Sequence, residues 1–314
     1  MARHTTIHKG RAAQLLIYLF GRTIIMVMEL AGLTVGRAIG AAFGRALYWL
    51  DVRHRRMGID NVLQARGMPK TEPEAHRLVR KMYEHLGKSI AEIALTDRLL
   101  RAGRLGRLVR FAGLENVREA LSHKRGGILA VAHLGNWEPA GVHFSREIQP
   151  LYSIARPLDN PLLDGYLESL RQRTGQVIIS KFNAADKMRA ALMDNQLLGV
   201  LMDQDAHDEG VFVDFFGRPA STVKSTAILS LRYKSPILPL NIYRKNGVLW
   251  MCYDTPIYPD AVDGQPDRVR ALTQLATTKL EGFIRQHPDQ WLWFHRRWRT
   301  QPEQVGSRKS EFRS

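Results

Sequence analysis

The sequence predicts an α/β layered fold: a central sheet, mostly parallel and partly mixed, flanked by helices and preceded by an apolar, basic helical segment. Three observations predict it. Short apolar runs alternate with stretches of helical periodicity from Ile128 to Tyr233, the order that builds strand–helix–strand units. Two of these runs, Ile128–Ala132 and Leu197–Met202, stop abruptly at chemistry-bearing residues, His133 and Asp203, as strands do at the mouth of such a sheet. Lys245-Asn-Gly247 sits between the apolar stretches Ser235–Tyr243 and Val248–Tyr253, a hairpin signal that adds an antiparallel pair.

The elements follow in order. Leu15–Leu50 is mostly apolar but is interrupted by Arg22, Glu29, Arg37 and Arg45, and residues 1–56 carry nine Lys/Arg against two acids. The stretch is too long for a signal peptide and no clear cleavage site follows it. A helix with one apolar face and arginines at its flank suits the plane of a membrane interface. A tilted span with snorkelling arginines and an ordinary pair of core helices remain open at this point. No uncharged run reaches the eighteen or so residues of a plain transmembrane span.

Residues 51–70 form a basic connector with a short helical stretch. Thr71-Glu-Pro-Glu74 opens a helix, with a capping residue, a proline and acids in the first turn. Leu78, Met82, Leu86, Ile90 and Ile93 give it an apolar stripe. Leu114–Leu121 is a short helix, and Ile128–Ala132 is the first strand of the body. A helix starts about Pro139. Leu151–Ala155 is a strand ending at Arg156-Pro157. Asn160-Pro161 caps a helix over Leu162–Thr174, stopped by Gly175. Val177–Ile179 is a strand, Ala184–Asn195 a helix, and Leu197–Met202 a strand. Val211–Phe216 is a further strand, and Ser221 or Thr222 caps a helix over Val223–Tyr233. After the hairpin comes the helix Arg268–Gln286, then the aromatic-basic run Trp291–Trp298. This divides the chain into a membrane-facing segment, 1–56, an α/β body, 57–300, and a polar tail, 301–314.

Composition narrows the function. The chain has 314 residues, enough to bury a substantial core. Its one cysteine, Cys252, excludes an intramolecular disulfide and sits inside a strand, where a small buried residue is the natural reading. The formal net charge of +16 implies an anionic partner: nucleic acid, an anionic membrane face, or an acidic protein or ligand. There is no Gly-x-Ser-x-Gly elbow, phosphate loop, dinucleotide fingerprint or His-Glu-x-x-His.

His133 at a strand mouth can serve as a general base, because an imidazole titrates near neutral pH. Glu138, with four residues between, can fix its tautomer and stabilise the imidazolium. Against this stands a plain reading in which His133 caps a helix and Glu138 favours its positive end. Arg156, held before a proline, can stabilise an oxyanion or grip a phosphate, or simply make a surface ion pair. Arg171 and Arg173 read as charges compensating a helix dipole. Asp203-Gln204 can support the histidine or a substrate hydroxyl. The acidic loop from Asp203 to Asp214 fails the calcium-loop pattern, since Asp208 stands where that loop needs glycine, so a polar loop near a positively charged site is favoured over a metal site. Trp291–Trp298 fits stacked nucleic-acid bases, a membrane-interface belt, or a folded core segment.

Five pieces in order carry a resemblance: Ala132-His-Leu-Gly-Asn-Trp-Glu138, Arg156-Pro-Leu-Asp-Asn-Pro161, Asp203-Gln-Asp205, Gly210–Ala220 and Trp291–Trp298. The chain resembles the bacterial late lipid A biosynthesis acyltransferases, within the lysophospholipid acyltransferase superfamily and its His-x4-acid motif. Phosphatidylinositol mannoside acyltransferases are similar too. The resemblance implies transfer of a fatty acyl chain from acyl carrier protein or coenzyme A to a glycolipid hydroxyl, on the cytoplasmic face of the inner membrane. It implies His133 as base and Glu138 as its orienting partner. Arg156, Asn136 and Asp203 stand as supporting or substrate-binding residues, with no metal, no resident cofactor and no nucleic acid. Glu138 departs from the aspartate usual in the wider superfamily. Competing readings are a phosphatidylinositol mannoside or lysophospholipid acyltransferase, and a non-catalytic basic protein that binds membrane or nucleic acid.

Overall fold

A computed structural model describes residues 10–155, 160–173, 175–180 and 184–303. Arg156 and the segment joining it to Asn160 lie outside the described residues, as do positions 304–314 of the expected tail.

The described residues begin with three helices. α1 (Arg11–Leu50) is broken at Gly32, whose φ of 76° only glycine adopts without strain. α2 (Val52–Gln64) starts at once, its first turn capped by Asp51, whose carboxylate accepts from the His54 amide. A boundary at 56/57 therefore falls inside a helix. α3 (Glu72–Arg101) runs far beyond its expected stripe. Its core face is made of small residues as much as large ones: Ala75, Val79, Met82, Ala91, Ala94 and Leu95 are buried. The second half of α1 lies on α3 through glycines. A Cβ on Gly40 would stand 2.2 Å from the Gly87 carbonyl oxygen, and one on Gly87 would stand 1.8 Å from that of Gly40. Backbones that close leave room for hydrogen atoms alone.

The body then alternates as expected. The turn of helix α4 (Leu105–Leu108) leads into β1 (Val109–Ala112), and α5 (Leu114–Ser122) follows. Next come β2 (Gly127–Val131), α6 (Trp137–Glu147), β3 (Leu151–Ala155) and α7 (Pro161–Arg173). Asn160 caps α7, its side-chain oxygen accepting from the amides of Leu162 and Leu163. β4 (Val177–Ser180), α8 (Ala184–Met193) and β5 (Leu197–Leu201) complete the parallel half. β6 (Val211–Phe215) pairs with β7 (Arg218–Thr222) in a separate hairpin, turned at Phe216-Gly217. Thr222, expected as a helix cap, ends β7 instead, and α9 (Ser225–Tyr233) begins after Lys224. β8 (Ile237–Lys245), β9 (Val248–Tyr253) and α10 (Arg268–Gln286) close the fold.

The main sheet has seven strands in the order β1-β9-β8-β2-β5-β3-β4. All neighbours are parallel except β8 and β9, the expected hairpin. β2 lies at the centre and is buried throughout, so it reads as a continuous apolar run rather than an alternating one. Its two faces support separate cores. Ile128 and Ala130 join α9, α10 and the C-terminal tryptophans; Leu129 and Val131 join α5 and α6. Trp291, Trp293 and Arg297 have no solvent exposure. The three tryptophans of the Trp291–Trp298 run are therefore core, closed to stacking bases, while Phe294 and His295 are half-buried and Arg296 is exposed.

Candidate active site

The end of β2 is pinned at His133 and Gly135. His133 donates its backbone N–H to Asp203 Oδ2 at 2.7 Å, and its carbonyl accepts from Leu292 N–H. Gly135 takes φ +69°, and a Cβ there would stand 2.2 Å from the Ile242 carbonyl oxygen, so both the turn and the close approach require glycine. Its N–H donates to the Gln290 carbonyl and its own carbonyl accepts from His85 Nε2.

Behind the turn lies a buried charge cluster. Glu92, with no exposure, receives the guanidinium of Arg244 through two bonds of 2.6 Å and that of Arg37 at 2.6 Å. The Asn136 carboxamide donates to Glu92 Oε2 at 2.8 Å and to the Ser89 carbonyl. Burial pushes the Glu92 carboxyl up, but the Arg244 and Arg37 charges and the bonds from Arg244 and Asn136 bring it below its ordinary value. His85 accepts from Arg244 at Nδ1. Burial and the Arg244 charge lower its pKa to about 3. Asn136, expected beside substrate, is turned inward and fastens the turn.

On the other side of the turn stands the His133 imidazole, itself nearly buried. Its Nδ1 donates to Asp203 Oδ1 at 2.7 Å. Asp203 is 2 % exposed and also accepts from the Trp291 indole at 2.6 Å. Burial alone would raise the Asp203 carboxyl; the His133 ring, with bonds from His133 and Trp291, holds it well below the usual carboxylate range. With Nδ1 carrying the proton, Nε2 is left with its lone pair. The Gln204 amide is 3.4 Å from it, a long contact that a hydroxyl can replace. Trp137 meets the ring edge-on at 5.0 Å and His295 at 4.6 Å. The His295 pKa is lowered to about 3, first by burial and then by the His133 charge, so its ring is neutral near pH 7. His133, Asp203 and His295 offer donor atoms within 4.8 Å of one another, the group among the described residues able to hold a metal ion. Both Asp203 oxygens are already engaged by N–H donors.

Glu138 is elsewhere. It lies in the first turn of α6, and its carboxylate faces α7, where Arg171 grips it through Nε at 2.9 Å and through Nη2. The carboxylate on the histidine ring is Asp203, not Glu138. The reason is geometric: the chain turns at Gly135, with φ +69°, before α6 starts, and the side chain at the second position of that helix faces α7 rather than the His133 ring. Arg171, expected at the surface, is largely buried in this pair. His295, Trp291 and Arg171 are the site residues that sequence reasoning missed. The run that holds Trp291 and His295 carried the signal. Arg171 carried none, because an arginine late in a helix is an ordinary surface charge.

Comparison with known proteins points the same way. The family model described as bacterial lipid A biosynthesis acyltransferase matches residues 7–300. A lipid A biosynthesis lauroyltransferase of Escherichia coli (strain K12) is 26% identical over 244 residues, covering 76% of this chain and 77% of that protein. A lipid A biosynthesis acyltransferase of Haemophilus influenzae is 24% identical over 239 residues, 74% of this chain and 72% of that one. A phosphatidylinositol mannoside acyltransferase of Mycolicibacterium smegmatis is 24% identical over 200 residues, 62% of this chain and 64% of its own length.

Proposed function

The chain belongs to the bacterial lipid A biosynthesis acyltransferase family, and on that premise we propose that it moves a fatty acyl chain from an acyl thioester to a hydroxyl of a membrane glycolipid. The observation that carries the reading is the 2.7 Å bond from His133 Nδ1 to the buried Asp203 carboxylate at the end of the central strand. In the neutral ring that bond leaves Nε2 as the unprotonated nitrogen, the state a general base needs.

His133 Nε2 takes the proton of the acceptor hydroxyl as its oxygen attacks the thioester carbonyl carbon. A C–O bond forms and the carbonyl electrons move onto oxygen. Collapse of that intermediate breaks the C–S bond, and the imidazolium returns its proton to the departing thiolate. Asp203 stabilises the imidazolium in between and holds one tautomer throughout. No serine or cysteine nucleophile is required. Glu138 acts in this reading through Arg171, tying α6 to α7 beside the strand mouth. Arg156 is retained as the oxyanion or phosphate contact that the resemblance implies.

Acyl carrier protein or coenzyme A serves as donor, both anionic and both suited to a chain of net charge +16. A lipid A precursor is the favoured acceptor. The mycobacterial-type relatives make a phosphatidylinositol mannoside the second candidate. The enzyme works from the cytoplasmic face of the inner membrane, held there by α1. The test is transfer from a labelled acyl thioester to extracted acceptors by wild type and His133→Ala. Loss of turnover with folding and membrane binding intact is expected; an unchanged rate in His133→Ala would remove the histidine from the reaction.

A further inference from the structure

The first half of α1, residues 11–31, is by length and composition able to cross a bilayer. Twenty-one residues of helix extend about 31 Å, close to the thickness of a hydrocarbon core. What the segment touches decides between crossing and lying flat.

One side of it is joined to the body along most of its length. Near its start, the Asn160 carboxamide donates to the Gln14 carbonyl at 2.9 Å. Two turns on, a Cβ placed on Gly21 would stand 3.8 Å from Leu163, and the Arg22 guanidinium lies 4.3 Å over the Tyr166 ring. Met28 is fully buried, and Arg98 donates to the Glu29 carbonyl at 2.8 Å. Of the three charged residues in the segment, Arg22 lies on this side and the Glu29 backbone is held there, while Arg11 stands exposed at the helix start. The opposite side is an apolar stripe of Leu16, Leu19, Phe20, Met26, Val27 and Leu30, between 44 and 78 % exposed. Thr23 interrupts it, with its hydroxyl already donated to the Leu19 carbonyl at 2.9 Å.

A helix that spanned the bilayer would carry its partner with it. α7 lies against residues 14–22, so a crossing would bury α7 in hydrocarbon with Glu168, Gln172 and Arg173, all exposed on its surface. Charged and amide groups on an outer face do not enter that region at a cost the fold could bear. We infer that residues 11–31 of α1 lie in the plane of one leaflet, with the Leu16–Leu30 stripe in the acyl region and α7 alongside at headgroup level. The kink at Gly32 turns the chain out of that plane onto α3. The occupant of the stripe is lipid: the stripe is apolar along its length and its flank is basic, which matches an anionic bilayer surface. The inference rests on the membrane association proposed above and fixes its geometry.

The test uses the full chain with Cys252→Ser. Gly21→Cys with Leu163→Cys is expected to form a disulfide on mild oxidation in native membranes, with acyl transfer retained. Separately, single bimane-labelled cysteines replace Leu16, Phe20, Met26 and Leu30. They should be quenched alike by shallow lipid-borne quenchers and weakly by quenchers at the bilayer centre. A depth profile that deepens towards Phe20 and rises again, or labelling of Gly10→Cys from the face opposite the body, would show a span and overturn the inference. Labels shielded from every lipid quencher in a self-associated protein would give the stripe to a second copy and overturn it equally. A chain that stays soluble would instead sink the membrane association itself.

Discussion

Asp203 receives three N–H bonds, and two of them come from His133. One carboxylate thus sets the backbone that aims the ring and the proton that the ring carries. In Asp203→Asn the side chain keeps its shape but loses its charge and one acceptor, so the imidazolium is no longer stabilised and the wrong tautomer becomes accessible. We expect kcat to fall by about 10²–10⁴, with KM for the acceptor changed little; steady-state kinetics showing both constants near wild type would remove Asp203 from the mechanism. The buried histidines give a second prediction. His85 and His295 have pKa values lowered to about 3 by burial, against about 6.5 in an unfolded chain. Above pH 6.5 both states hold the rings neutral and nothing changes. Below it the unfolded chain binds protons that the native state refuses, so stability falls as pH drops from about 6.5 towards 3. Asp203 and Glu92, with lowered carboxyl pKa values, add their loss only beneath the ordinary carboxylate range. Denaturation midpoints measured from pH 7.5 to 4.5 should decline, and less steeply in His85→Gln. Equal slopes in the two proteins would mean that His85 is not held neutral.

Between elements, the tightest approach is α1 on α3. Gly87→Ala would drive a methyl group into the Gly40 carbonyl and should destabilise by about 1–3 kcal/mol. Gly282→Ala, inside α10 with no heavy atom within 4 Å of the place its methyl group would take, should stabilise by about 0.5–1 kcal/mol. Chemical denaturation of the pair measures both; a Gly87→Ala protein as stable as wild type would show that the helices part without cost. This contact also marks where sequence reading stops. Elements specified by their own residues were legible: β2 as an apolar run, α7 by Asn160-Pro161, the β8–β9 hairpin by Asn246-Gly247. β1 was not, because an edge strand of Val-Arg-Phe-Ala has too little pattern to stand out. Nor was β7, where Pro219 and Ser221 look like a loop until β6 pairs with them. The same holds for the site. His133 was legible because a buried run stops at it. That Asp203 and not Glu138 meets its ring depends on β5 ending beside β2, a fact of strand order rather than of spacing.

At the scale of the whole molecule, charge and apolar surface act on the same partner by different laws. In the proposed arrangement the net charge of +16 draws the chain to an anionic bilayer through a field that salt screens. In the same arrangement the stripe on α1 binds through water release, which salt does not weaken. Between about 0.1 M and 1 M salt the Debye length shrinks from roughly 10 Å to 3 Å. The electrostatic part of binding should then largely vanish and leave a remainder set by the stripe. On vesicles rich in anionic lipid, co-sedimentation is expected to fall with salt to a plateau above zero, and neutral vesicles should give that plateau at every salt concentration. Phe20→Glu, in the middle of the stripe, should lower the plateau without changing the salt-dependent drop. Complete release at high salt would assign membrane binding to charge alone, and a flat response would leave the basic surface with no part in it. Two-term binding fits the proposed reaction, in which an acidic donor comes from the aqueous side and the acceptor from the leaflet, because each partner would be gathered by a force the other does not use.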